Sequence, residues 1–167
     1  MSDRAPNGRV TRVGIGYDSH RFAPPGPLIL GGVPIPSDVH LEGHSDGDAV
    51  AHALTDAILG AAGAGNIGQL FPDSDPQWKD ADSMELLRTA HELVRGRGHT
   101  VVQADLTVIT EAPKLGPHLP AMAAALAARL GLADGAVHVK AKTNEGMGFI
   151  GRGEGLAVIA VATLEAR

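Results

Sequence analysis

A single α+β domain, built on one mixed β-sheet with helices packed on one face, is predicted by three features of this 167-residue chain. Hydrophobic periodicity switches between strand and helix in the order β-α-α-β-α-β-β, leaving strands at both ends and helices between them. The last strand, residues 155–164, carries small or apolar side chains on both faces: Leu156, Val158, Ala160 and Ala162 against Ala157, Ile159 and Val161. A chain of this length buries a substantial core as one domain, and a second full domain is not expected.

Each element has its own signal. Residues 1–8 read as a flexible polar leader, and residues 9–167 as the domain. Residues 9–16 alternate as a strand. Residues 28–30 begin another, which Gly31-Gly32 and Pro34-Ile35-Pro36 break into a loop running to His44. Residues 45–60 predict a helix with Ser45 as N-cap, Asp46 and Asp48 in the first turn, and Val50, Leu54, Ala57 and Ile58 as apolar positions. A long irregular connection follows over residues 63–76, and such segments in compact domains are more often functional than idle. Ser83 caps a helix to about Arg97, with Met84, Leu87, His91 and Val94 at helical spacing and Gly96 and Gly98 ending it. Residues 100–110 form a strand, residues 117–130 an Ala-rich helix stopped by Gly131, and residues 137–141 a further strand. Both faces of the final strand need cover. Helices supply one; the other is met either within the monomer or by a partner chain, as in a homo-oligomer.

Composition narrows the function. With 14 basic against 19 acidic residues, a net charge of -5 and no basic run, the chain is not built to hold nucleic acid by its phosphates. It has no cysteine, so metal binding falls to His and carboxylate ligands and disulfides are excluded. No apolar run is long enough for a membrane span, and the first eight residues lack a signal-peptide core, so a cytoplasmic location is expected. Five aromatic residues among 22 glycines and 11 prolines leave an aliphatic core and shaped loops.

Asp18-Ser19-His20 and the segment from His44 to Asp56 carry the sharpest chemical signal. In extended backbone Asp18 and His20 project from the same side. On the following helix Asp48, His52 and Asp56 share a face. Two imidazoles and one carboxylate with a fourth position open form the ligand set of a reactive zinc or similar divalent ion, so Asp18, His20 and His52 are the expected ligands. Residues 140–146 place Lys140, Lys142, Thr143 and Glu145 at a turn that suits a metal-bridged diphosphate. There Thr143 donates to a phosphoryl oxygen and Glu145 holds Mg2+ or Mn2+. Gly151-Arg152-Gly153 offers an anion cradle, and the loop from Thr110 to Gly116 exposes backbone groups able to read a base edge.

Taken together, these residues resemble the 2-C-methyl-D-erythritol 2,4-cyclodiphosphate synthase family of the non-mevalonate isoprenoid pathway. The similarity runs from Arg12 to about Val161. It rests on Gly16-Tyr17-Asp18-Ser19-His20, the His44-to-Asp56 segment, the stretch from Gly68 to Asp75, Ala112-Pro113-Lys114 and the stretch from Gly148 to Gly155. The resemblance implies a homotrimer with sheets facing its interior and active sites between subunits. The implied reaction is that of a phosphorus–oxygen lyase: the 2-phosphate of 4-diphosphocytidyl-2-C-methyl-D-erythritol 2-phosphate attacks the β-phosphorus, CMP leaves, and a cyclic diphosphate forms.

Residue by residue, the resemblance places Asp18, His20 and His52 on zinc and Glu145 on the second divalent ion. It makes His44 and Thr143 transition-state stabilisers, with His44 and Ser45 contacting a substrate phosphate. The methylerythritol wall falls on Asn66, Ile67, Gly68, Phe71, Pro72, Asp73, Ser74 and Asp75. The cytidine and diphosphate pocket falls on Thr110, Glu111, Ala112, Pro113, Lys114, Leu115 and Gly116, with Ala141, Lys142, Thr143, Asn144 and Glu145, largely from a neighbouring subunit. Phe149 and Arg152 take the substrate and central-cavity positions. Asn66 stands where the family usually has Asp, and Lys142 replaces a Thr seen in some members. Two other readings of the same residues are a metal-dependent phosphohydrolase acting on a nucleoside diphosphate conjugate, and a non-catalytic trimer binding metal and nucleotide.

Overall fold

The computed structural model describes residues 9–166; the leader expected over residues 1–8 lies outside them. Strand β1 (Val10–Ala23) is longer than its alternation suggests and carries Asp18 and His20 within it. Next come β2 (Leu28–Leu30) and β3 (Val33–Ile35), which pair as a separate hairpin, and β4 (His40–Leu41). Gly31 and Gly32 make that hairpin turn with φ of 57° and 72°, the left-handed pair a two-residue connection needs. Helix α1 (Ala49–Ala62), the short α2 (Ile67–Leu70) and α3 (Ser83–Gly96) precede β5 (His99–Ile109). Then follow α4 (Leu119–Leu130), β6 (Val137–Lys142), the one-turn α5 (Gly148–Gly151) and β7 (Gly155–Ala166).

The main sheet has five strands in the order β4-β1-β7-β5-β6, antiparallel except for the parallel β5–β6 pair. The mixed sheet and its helical cover agree with the expected fold class. Helix α1 lies over β1 and β7, α4 over β6, and α3 packs on α1, α4 and β5. Between these layers sits an aliphatic core that includes Leu54, Ile58, Leu87, Leu106, Met122, Leu126, Leu156 and Leu164, all fully buried.

Close approach of α1 to the sheet depends on absent side chains. A Cβ on Gly16 would fall 1.8 Å from the Ala53 carbonyl oxygen, and one on Gly14 would fall 2.0 Å from that of Ala57. Gly14, Gly16, Asp18 and His20 therefore occupy the helix-facing side of β1, and its first two members let the helix come near enough for His52 to reach the other two.

The opposite face of the sheet is apolar and open. Val13, Ile15 and Tyr17 of β1 are 64%, 70% and 56% exposed, and Ile159 and Val161, their neighbours on β7, add to the same patch. Among the described residues the helices thus cover one side only.

Two helix starts differ from the sequence expectation. Helix α1 begins at Ala49 with Asp48, not Ser45, as its N-cap, because the Asp48 carboxylate accepts the Val50 and Ala51 amides. The same carboxylate accepts Gly31 and Gly32 amides at 2.8 and 2.7 Å and so ties the hairpin to the helix. Burial, with the Asp46 charge nearby, pushes the Asp48 carboxyl up, to about 6, against the amide hydrogen bonds from Gly32, Ala51 and Gly31. Helix α3 is capped by Asp82 rather than Ser83. In both cases a neighbouring carboxylate takes the amides and leaves the serine hydroxyl for another partner.

Candidate metal centre and substrate site

Strand β1 and helix α1 bring Asp18, His20 and His52 together as expected, with one ligand atom from each within 4.8 Å of the others. Asp18 Oδ2 lies 2.8 Å from His20 Nε2 and 3.1 Å from His52 Nδ1, and the two ring nitrogens are 3.3 Å apart. The far nitrogens are spoken for. His20 Nδ1 sits 2.5 Å from the Glu42 carbonyl oxygen, which can only accept, so the Nε2 lone pair points inward. His52 Nε2 sits 2.8 Å from Ser83 Oγ and 2.9 Å from Ser45 Oγ. Ser83 Oγ in turn donates to the Asp46 carboxylate, so the serine accepts from His52 Nε2–H and the Nδ1 lone pair also points inward.

With both rings neutral, two imidazole lone pairs and a carboxylate converge on one point and repel unless a cation lies among them. The donor set therefore fits a divalent ion of the kind that takes nitrogen and oxygen ligands. When the rings instead carry protons, burial pushes the Asp18 carboxyl up, but hydrogen bonds and charge from His20 and His52 outweigh it and hold the carboxyl below its ordinary value. For His20 burial pushes down, and the Asp18 hydrogen bond and charge, with the Glu42 carbonyl, leave the ring above its ordinary value.

The triad opens into a depression of about 210 Å³ that it shares with His44, Ser45, Ile67, Gly68, Phe71 and Asp73. Each of these was a sequence candidate. His44 Nδ1 lies 3.9 Å from Asp73 Oδ1 at its rim. Trp78 and Leu86 also line the depression, and Trp78 meets Phe71 edge-on with ring centroids 4.9 Å apart. The sequence reading missed both, as it missed Ser83 and Asp46. Their only signal was a place just before α1 (Asp46), between α1 and α3 (Trp78) or in the first turn of α3 (Ser83 and Leu86), and that does not single out side chains.

Other candidates serve the local backbone. Asn66 caps α2 through the Gln69 amide at 2.9 Å, with Gln69 Oε1 returning to the Asn66 amide. Its oxygen is thereby turned to the helix. Asp75 caps the 3-10 turn Pro76–Trp78, and Pro72 and Ser74 stand outside the depression's lining.

A second depression, about 340 Å³, is lined by Thr110, Pro113, Lys114, Leu115, Gly116, Ala141, Lys142 and Thr143. Glu111, Ala112, Asn144 and Glu145 flank it without lining it. Thr143 Oγ1 is 3.2 Å from Glu145 Oε1, which puts hydroxyl and carboxylate side by side at the turn. Phe149 lines a third depression with Ser19, His20, Arg21 and Glu154, and Arg152 Nε donates to Glu154 at 2.6 Å.

The metal triad and the Thr143 turn lie at the same end of the sheet but not together. Register runs Asp18, Val158, Val108, Ala141 across β1, β7, β5 and β6. Three strand spacings separate the first from the last, roughly 14 Å. Within one chain they stand apart.

An α+β domain that opens an Asp/His/His cation site onto a depression edged by His44 and Ser45 is, as a class, a metal-dependent enzyme for anionic substrates. The model of the YgbB family matches residues 11–165, and the chain belongs to that family. A protein of Gemmatimonas aurantiaca named 2-C-methyl-D-erythritol 2,4-cyclodiphosphate synthase is 57% identical over 155 residues, which cover 93% of each chain. The structure of the bifunctional IspDF from Campylobacter jejuni superposes with a TM-score of 0.92 at 45% identity, over 95% of this chain and 43% of that longer one. A 2C-methyl-D-erythritol-2,4-cyclodiphosphate synthase solved in its CDP-bound form gives a TM-score of 0.84 at 44% identity, over 92% and 99% of the two chains.

Proposed function

We propose that this protein converts 4-diphosphocytidyl-2-C-methyl-D-erythritol 2-phosphate to 2-C-methyl-D-erythritol 2,4-cyclodiphosphate and CMP. The observation that carries the reading is the Asp18, His20 and His52 triad, with its lone pairs aimed at one point beside His44 and Ser45, in a chain 57% identical to a protein of that name.

No protein nucleophile is required, because the substrate brings its own. The oxygen of the 2-phosphate bonds to the β-phosphorus, the bond from that phosphorus to the bridging oxygen breaks, and CMP departs with the electron pair. Zinc held by Asp18, His20 and His52, and Mg2+ or Mn2+ held by Glu145, would neutralise charge on the phosphoryl oxygens. His44 and Ser45 bind the phosphate, while Thr143 donates to a phosphoryl oxygen where charge develops. Ile67, Gly68, Phe71 and Asp73 hold the methylerythritol end, and the loop from Thr110 to Gly116 takes the cytidine. Binding at both ends brings nucleophile and phosphorus together and makes the attack intramolecular.

The reading includes a homotrimer. Two half-sites roughly 14 Å apart in one chain need a second copy to meet. The exposed stripe of Val13, Ile15, Tyr17, Ile159 and Val161 supplies the apolar contact for it. Among the described residues no helix is long and apolar enough to cross a membrane, in keeping with the cytoplasmic location of the reading.

Mixing two inactive variants tests this arrangement. His52→Ala removes a zinc ligand and Thr143→Ala removes the donor of the other half-site; mixed trimers should regain part of the wild-type turnover, because some interfaces then carry neither defect. Zinc analysis of the His52 variant should show loss of metal. Full zinc occupancy in that variant, or no recovery on mixing, contradicts the reading.

A further inference from the structure

Glu111 sits in the loop assigned to cytidine, yet its side chain turns away from the depression that loop lines. Its Oε1 accepts two backbone amides of the neighbouring turn, Asn144 at 2.9 Å and Gly146 at 3.1 Å. Between those amides stands Glu145, with φ of 53°, one of two described non-glycine residues in the left-handed region. That conformation is costly for a residue with a Cβ and persists where the surroundings over-determine it. Gly146, with φ of 73°, continues the bend, and together the two residues aim amides i and i+2 at a single acceptor.

The same turn has further ties. Thr110 N donates to the Lys142 carbonyl at 3.0 Å, and Asn144 Nδ2 donates to that of Met147 at 2.9 Å. Loop and turn come from β5 and β6, which run parallel, so both leave the sheet at the same end. The Glu111 carboxylate is the side chain that joins them.

We infer that Glu111 is a positioning residue. Its carboxylate holds the Thr143-to-Gly146 turn in the shape that presents Thr143 and Glu145 and makes the nucleotide loop and the metal-binding turn one unit. This rests on the proposed role of Glu145 as ligand to the second divalent ion. A carboxylate suits the task because charge-assisted hydrogen bonds to amides are roughly twice as strong as neutral ones. The turn is thereby fixed before substrate arrives, and the loop that binds the nucleotide sets where the diphosphate-facing groups stand.

Glu111→Ala and Glu111→Gln test the inference in the intact protein. In the alanine variant amide exchange at Asn144 and Gly146, read by NMR, should accelerate at least about tenfold, since local opening no longer breaks two hydrogen bonds. Turnover should fall by roughly a hundredfold, the scale of a displaced catalytic group. CMP lacks the β-phosphate, so its affinity should stay within about threefold of wild type. The glutamine variant keeps an acceptor oxygen and should restore most of the exchange protection and turnover. Unchanged exchange in the alanine variant overturns the inference, as does CMP affinity that falls in step with turnover, which would make Glu111 a nucleotide contact. Should the wild-type protein release no CMP, the proposed function fails, while the exchange rates still decide whether Glu111 holds the turn.

Discussion

Ser83 Oγ lies 2.8 Å from His52 Nε2 and donates its own hydrogen bond to the Asp46 carboxylate, so a carboxylate–hydroxyl–imidazole chain ends on His52 Nδ1, the atom placed to hold a metal ion. Such partners fix the tautomer and aim of a metal-binding histidine. Ser83→Ala should therefore weaken zinc binding by about 10- to 100-fold, measured by competition with a chelator. Unaltered zinc affinity would assign Ser83 to helix packing alone.

Gly16 faces Ala53 so closely that a methyl group cannot fit without moving α1. Gly16→Ala should cost about 1–3 kcal/mol in urea unfolding, the range for overpacked contacts, and should lower zinc occupancy as His52 draws back from Asp18. Wild-type stability and zinc content together would show that the β1–α1 distance does not set the site.

Ile15 is 70% exposed on the apolar face and pairs with Val161 across β1 and β7. Ile15→Glu should shift light-scattering mass from trimer to monomer and abolish turnover while leaving each chain folded. A monomeric variant that kept full activity would contradict the shared site.

His91 on α3 is 8% exposed, and burial, with the charge of Arg95 nearby, pushes its imidazole below the ordinary value. As pH drops below about 6.5 the unfolded chain takes a proton that the folded one resists, so stability declines until the lowered folded value is reached. His91→Leu should remove a slope of up to about 1.4 kcal/mol per pH unit in that window, compared with wild type. Parallel pH profiles for the two proteins would show that His91 titrates alike folded and unfolded.

How much of the site could be read beforehand depends on the range of the interaction. Asp18 and His20 follow from the two-residue repeat of a strand, and His52 from its position on a helix announced by the acidic residues just before it; both patterns are local. The long-range partners were not visible. Ser83 and Asp46 lie 37 residues apart in sequence, and neither carries a mark that separates a serine holding a histidine from a serine capping a helix. Ser45 and Asp48 show the same ambiguity, since both are good N-caps, and the structure gives the Val50 and Ala51 amides to Asp48, which the hairpin amides of Gly31 and Gly32 also hold in place. Glu111 was placed by its loop, whereas its geometry depends on a turn 33 residues further on. Strand β1 runs past its alternating stretch because β7 pairs with it as far as Arg21.

Phosphorus NMR of the products formed from 4-diphosphocytidyl-2-C-methyl-D-erythritol 2-phosphate with zinc and Mg2+ tests the central claim most directly. The proposed mechanism predicts CMP and a cyclic diphosphate in equal amounts, with both signals lost in the His52→Ala variant. CMP accompanied by an open-chain phosphate, or no CMP at all, would contradict it.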